Sequence, residues 1–144
     1  MMRAVRSMVG AMLVAAAVFS ARAVLAGPPL LCFPYDIGNA RSLPMAQGSW
    51  RAIDPRYDVS RLVDDTLVLL APETPVVVRM ETLRRATIYA AEHPAIASAL
   101  FTTVKQRADA KAPLAAFDYG YLVEAFREAE MVYKRPLVTD AALR

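Results

Sequence analysis

Ten prolines divide this chain of 144 residues into one stretch that cannot be helical and several that can. Proline lacks the N–H that a helix interior needs and drives the residue before it out of the α conformation. Pro28, Pro29, Pro34, Pro44 and Pro55 crowd the segment from Gly27 to Tyr57, together with Gly38 and Gly48, so no helix of length fits there. Beyond Tyr57, the prolines at 72, 75, 94, 113 and 136 stand only at the borders of stretches with helical periodicity. The expected fold is therefore all-α. Four antiparallel helices, as helical hairpins in a bundle or a short solenoid, occupy residues 58–144, preceded by a Pro-rich extended arm over 27–57.

The periodicity places each helix. Asp58 or Ser60 can cap the first by accepting a hydrogen bond from a free backbone N–H. Val59, Leu62, Val63, Thr66, Leu67 and Leu70 then follow helical spacing up to Pro72. Thr74-Pro75 restarts the chain with a capping residue and a proline at the first helical position. Val76, Met80, Leu83, Thr87 and Ala91 form the apolar face of the second helix, and Glu81 precedes Arg85 in the favourable order for an ion pair. His93-Pro94 opens a third helix with Ala97, Leu100, Phe101, Val104 and Ala108 inward, and Asp109 to Pro113 connects it onward. The fourth runs from about Leu114 to Lys134, with Tyr119, Leu122, Phe126, Ala129 and Tyr133 on one face and a Glu130–Lys134 pair.

The arm is too apolar for a solvated linker. Leu30, Leu31, Phe33, Tyr35, Ile37, Leu43, Met45, Trp50 and Ile53 predict that it lies against the helical body, with a turn at Asp36 to Asn39.

Residues 1–26 have the layout of a cleaved export signal. Arg3 and Arg6 precede an uncharged run of 12 residues from Met8 to Phe19, and Val24-Leu25-Ala26 offers a cleavage site before Gly27. Ser20 and Arg22 end the run well short of the roughly 20 apolar residues a membrane span needs. A membrane association is thus expected only through the uncleaved signal, and the product is expected in the periplasm or secreted. Cys32 stands five residues beyond Gly27, too far for a lipidation box. Removing Arg3, Arg6 and Arg22 takes 17 basic residues to 14, against 14 acidic ones, so the mature chain is neutral. Nucleic-acid binding, which needs excess positive charge on one face, is not indicated.

Two resemblances bear on this chain. Laid on itself at a shift of 34 residues, it sets Leu83 on Phe117, Ala86 on Gly120, Ile88 on Leu122 and Ala91 on Ala125. That period resembles tetratricopeptide-like helical hairpins, although their full tryptophan, glycine and tyrosine pattern is absent. Pro29-Leu30-Leu31-Cys32-Phe33-Pro34, Ile37-Gly38-Asn39-Ala40, Ser42-Leu43-Pro44 and Tyr57-Asp58 with Arg61 to Leu67 are similar to an uncharacterised group of exported bacterial proteins. In that group a His commonly follows the Cys, where this chain has Phe33. Several members extend further at the C-terminus, which implies that this chain is a shortened one. The resemblance implies no activity.

Chemistry is sparse. One His and one Cys, 61 positions apart, cannot make a zinc site, and Asp54, Asp58, Asp64 and Asp65 do not form a calcium loop. No metal and no cofactor is expected. Gly48-Ser49-Trp50 lacks the second glycine of a nucleophile elbow, and the five glycines are isolated. Cys32, flanked by Leu30, Leu31 and Phe33, reads as a small buried hydrophobe, with a reactive thiol or an intermolecular link as the other options. Two groups are candidate binding residues. Arg79, Arg84 and Arg85 beside Tyr89 could hold an anion, against the alternative of a solvated face with Arg85 paired to Glu81. Tyr119, Tyr121 and Phe117 around Gly120 suggest close packing or a groove, because a helical glycine costs about 1 kcal/mol against alanine. The function expected is that of an exported, non-enzymatic helical binding module with a protein partner or self-association. The alternatives are a small periplasmic enzyme or cofactor binder using Cys32, and a shortened helical-repeat protein.

Overall fold

The computed structural model describes residues 29–140 and Leu143; the expected export signal over residues 1–26 and its expected cleavage site at Ala26-Gly27 lie outside the described residues. Within them the chain is all-α, with four α-helices. Asp58, one of the two expected caps, serves the 3-10 turn that precedes the first, its carboxylate accepting from the N–H of Ser60 at 3.1 Å and from its hydroxyl at 2.7 Å. A 3-10 turn, Val59–Arg61, leads into α1, Leu62–Leu69. α2 spans Val76–Ala90, α3 spans Pro94–Asp109 and α4 spans Ala115–Tyr133. Pro94 takes the first helical position, whereas Pro75 sits one residue earlier than expected. It is Pro75, and not Thr74, that caps α2, by accepting from Val78 and Arg79 N–H through its carbonyl.

The expected alternation of direction follows from what meets at the ends. The Arg79 side chain, near the start of α2, donates to Leu70 and Ala71 carbonyls at the end of α1 and to Asp118 near the start of α4. Arg107, near the end of α3, reaches Leu67 and Leu70 carbonyls at the same place. Starts and ends therefore alternate around one pole. At the opposite pole Arg135, just after α4, donates to the Ala91 carbonyl that ends α2. A helix C-terminus leaves carbonyls without intrahelical partners, and each of these guanidinium groups supplies donors to such an end.

One expectation fails at α2. The spacing predicts a single apolar face, yet the helix is buried nearly all round: Arg79, Glu81, Thr82, Arg84 and Tyr89 are as covered as Leu83, Ala86 and Ala90, while Val76 at its start is exposed. The reason is that α2 is central. The other helices cover part of it and the arm covers the rest. Leu31 and Leu43 of the arm are fully buried in the same core as Leu62, Leu83, Leu100, Phe101, Leu122 and Phe126, and Tyr35, Met45, Trp50 and Ile53 pack against it. The arm turns where expected, with Gly38 in the left-handed region (φ +54°), its N–H on Asp36, and Ala40 N–H on the Ile37 carbonyl. One isolated antiparallel bridge, Met45 to Ile53, closes a loop in it. At the end of α4, Glu130 does not pair with Lys134. Its carboxylate accepts from Leu137 N–H at 2.9 Å, because Lys134 adopts a left-handed conformation (φ 53°) that turns the chain back past Glu130.

Candidate functional site

Glu81 organises the contact between α2 and the arm. Arg84, one turn on, grips it with two parallel hydrogen bonds at 2.7 and 2.9 Å, and Arg85 adds a third at 2.6 Å. The expected Glu81–Arg85 pair is thus present, but on a covered face and not a solvated one. Tyr35 N–H donates to the same carboxylate at 3.0 Å. Burial pushes the Glu81 carboxyl up, and these donors outweigh it, so it is held below the ordinary carboxylate value of 4.5. The remaining guanidinium donors go to arm carbonyls. Arg84 reaches Leu31 at 2.8 Å and Trp50 at 3.1 Å, and Arg85 reaches Leu43 at 2.6 Å. Tyr89 completes the row, donating to the Pro44 carbonyl at 2.7 Å and accepting from Asp54 N–H at 3.0 Å.

These placements correct the proposed anion site. Arg79 and Arg84 are 0% and 1% exposed, and Tyr89 is equally covered, so no anion from solution meets them together. Arg79 clasps Asp118 through two bonds at 2.8 and 2.6 Å and spends its other donors on the end of α1. A buried charge needs such full pairing, and here the two arginines have it.

The aromatic group around Gly120 also separates. Tyr119 sets its ring edge-on to Phe101 of α3 at 5.6 Å. Tyr121 points towards the arm, where its hydroxyl meets that of Tyr35 at 3.4 Å, and burial drives its phenol well above the ordinary tyrosine range. Successive helical positions diverge by about 100°, so residues 119 and 121 leave the helix on nearly opposite sides. Phe117 stays 38% exposed, and a methyl group built on Gly120 would meet nothing within 4 Å. Close packing is therefore not what places glycine there.

Cys32 is half-buried, and its neighbour is Glu128 of α4, with Sγ 3.8 Å from a carboxylate oxygen. Burial raises the thiol pKa first, the Glu128 charge and hydrogen bond raise it further, and Arg51 and Arg84 oppose them only in part. A thiol so placed carries little thiolate near neutrality, and the thiolate is the nucleophile. Glu128 also binds the start of the arm, accepting from Leu30 and Leu31 N–H. His93 stands before α3 and makes no side-chain cap bond.

Among the described residues no three His, Cys, Asp or Glu side chains gather to hold a metal ion, and no helix is long and apolar enough to cross a membrane. No family model, curated protein or solved structure matches the chain. Phe33, Val68, Val76, Val77, Leu114, Phe117 and Met131 are large apolar side chains left in solvent. An open groove of about 310 Å³ runs beside the start of α2, lined by Ala40, Arg41, Val68, Leu69, Pro75 and Val78 among others.

The partners that sequence reasoning missed are Asp118, Glu128, Arg107 and Arg135. Asp118 stands four residues before Leu122 and seven before Ala125, so helical spacing puts it on the buried face of α4, and only its charge argues against burial. A signal for Arg107 and Arg135 was available: each lies near a helix end, where arginine donors commonly serve exposed carbonyls.

Proposed function

We propose that this protein is an exported, non-enzymatic helical module that works by holding a protein partner on its outer surface. The observation that carries the reading is the placement of apolar side chains left in solvent. Val68, Val76, Val77, Leu114 and Phe117 all belong to the three segments that converge on the Arg79 guanidinium, namely the end of α1, the start of α2 and the start of α4. Exposed apolar side chains gathered on one part of a protein surface mark interaction sites. The buried Arg79–Asp118 pair supplies a rigid base, since it locks the three segments in one arrangement. The three-part layout of residues 1–26 and the likeness of the mature start to exported bacterial proteins support export.

Dye binding tests the reading. A fluorescent apolar dye is expected to bind the folded chain, and the paired substitutions Val77→Ser and Leu114→Ser are expected to reduce the signal without changing the helical circular dichroism. A folded chain that binds no dye would remove the reading.

A further inference from the structure

Among the described residues, nothing packed against Gly120 requires a glycine there. It occupies the middle of α4, where glycine costs about 1 kcal/mol against alanine, and open space surrounds it. The outward face of the same helix, continued by Lys134 that caps its end, carries more than this gap. Phe117, Gly120, Glu124, Arg127, Met131 and Lys134 are all exposed, and they follow one another at intervals of three, four, three, four and three residues. That is the spacing of a seam along which two helices interlock. Met131, 72% exposed, is the most exposed large apolar side chain among the described residues.

We propose that this seam is the interface of a homodimer, in which α4 of one copy lies antiparallel to α4 of a second. The proposal rests on the reading of the protein as an interaction module and names its partner. A twofold axis between residues 125 and 126 sets each seam residue against a complement. Glu124 faces Arg127 of the other copy, so the centre holds two ion pairs between chains. Gly120 faces Met131, and the side chain that protrudes most enters the gap with no side chain of its own. Phe117 faces Lys134, where an ammonium group can sit over a ring. Each match occurs twice by symmetry.

The alternatives fit less well. A parallel pair in register would set Glu124 on Glu124 and Arg127 on Arg127, like charges that repel. Moving the antiparallel register by one heptad sets Gly120 against Glu124 or Arg127 against Met131, and the gap and the protruding side chain no longer meet. Glu124 and Arg127 already lie 2.6 Å apart within one chain, so the central charges are positioned together before association. Beside them an open groove of about 700 Å³, lined by Glu130, Met131, Lys134 and Pro136 among others, leaves room for an incoming helix.

The seam from Phe117 to Lys134 is about 26 Å long at 1.5 Å per residue. One helix pair of that length buries less than the roughly 1,600 Å² of a standard interface, so a weak dimer with Kd of about 10–100 µM is expected.

Sedimentation equilibrium on the chain recovered from its host, over a concentration range spanning that value, tests the proposal. A reversible monomer–dimer equilibrium is expected. Arg127→Glu should weaken it by about tenfold or more by setting Glu against Glu. The double change Glu124→Arg with Arg127→Glu should restore it. Gly120→Leu, which fills the gap, should abolish the dimer while keeping the circular dichroism of a folded monomer and a thermal midpoint no lower than that of the parent chain. A chain that is monomeric throughout, or whose single and double charge variants associate alike, would overturn the dimer. If such a monomer still binds the apolar dye, the interaction reading survives without its homodimeric partner; a monomer that binds none overturns both.

Discussion

Between α3 and α4 the contact is carbon against carbon: Phe101 lies 5.5 Å from Phe126 and 5.6 Å from Tyr119, ring to ring, and Ala97, Leu100, Val104, Leu122 and Ala129 are buried in the same core. Between α2 and the arm a polar row joins the apolar anchors Leu31 and Leu43. Glu81, Arg84, Arg85 and Tyr89 all end on backbone groups of the arm or on one another. The difference follows from where backbone hydrogen bonds go. A helix satisfies its own interior N–H and C=O groups and presents only side chains to a neighbour. An extended, proline-rich segment does not, and when it is buried its carbonyls must be met from outside. Arginine, with five donors and no acceptor, is suited to meet several at once.

Breaking the two contacts separately should therefore give different failures. Arg84→Met is expected to have the largest effect, about 4–5 kcal/mol, because it leaves the buried Glu81 carboxylate short of a partner and strands the Leu31 and Trp50 carbonyls. Limited proteolysis should then cut within residues 29–57 while the helical circular dichroism largely persists. An arm that stays protected would show that its apolar anchors alone hold it. Phe126→Ala should cost about 3–4 kcal/mol by opening a cavity between helices, and urea denaturation should show helix and arm lost together in a single transition.

This contrast also explains what was readable in the sequence. Asp58 as a cap, Pro94 at the start of α3, the inward faces of α3 and α4 and the Asp36–Asn39 turn all depend on neighbours within a few residues, and all are present. The burial of Arg79 and Arg84 depends on partners 39 and 53 positions away, Asp118 and Leu31. By local spacing, charges at positions 79, 81, 84 and 85 describe a solvated face. An arm with unmet carbonyls turns Glu81, Arg84 and Arg85 inward, and the end of α1 together with Asp118 does the same for Arg79. The same holds for Gly120, whose surroundings no local pattern reveals: the three aromatic residues beside it leave the helix in different directions.

Acid should sharpen the comparison. The Glu81 carboxyl is held below its ordinary value in the folded chain, so its contribution to stability is complete above the usual carboxylate range and shrinks as pH falls through the lowered value. The arm contact should accordingly loosen below pH 4.5, with proteolysis in 29–57 rising before the helical signal falls. Glu81→Gln should flatten that dependence. If both contacts fail at one pH in the parent chain, the arm is not held by this carboxylate. A smaller effect is expected from Tyr89→Phe, which keeps the ring against Tyr57 at 5.0 Å and removes only the hydroxyl between the Pro44 carbonyl and Asp54 N–H. A loss of about 1–2 kcal/mol, confined to arm protection, is the result to look for in hydrogen exchange.

The smallest change comes from the face of α4 that neither kind of contact covers. Gly120→Ala adds a methyl group where nothing lies within 4 Å, so no neighbour has to move. Glycine loses more conformational freedom than alanine when it joins a helix, and the substitution should stabilise the monomer by about 1 kcal/mol. In the dimer the same methyl group enters the space assigned to Met131 of the second copy, and association should weaken. Opposite signs from one substitution, a raised thermal midpoint at low concentration and a larger Kd at high concentration, would separate a glycine kept for a partner from one that the fold merely tolerates. A raised midpoint with unchanged association would assign Gly120 to the second class.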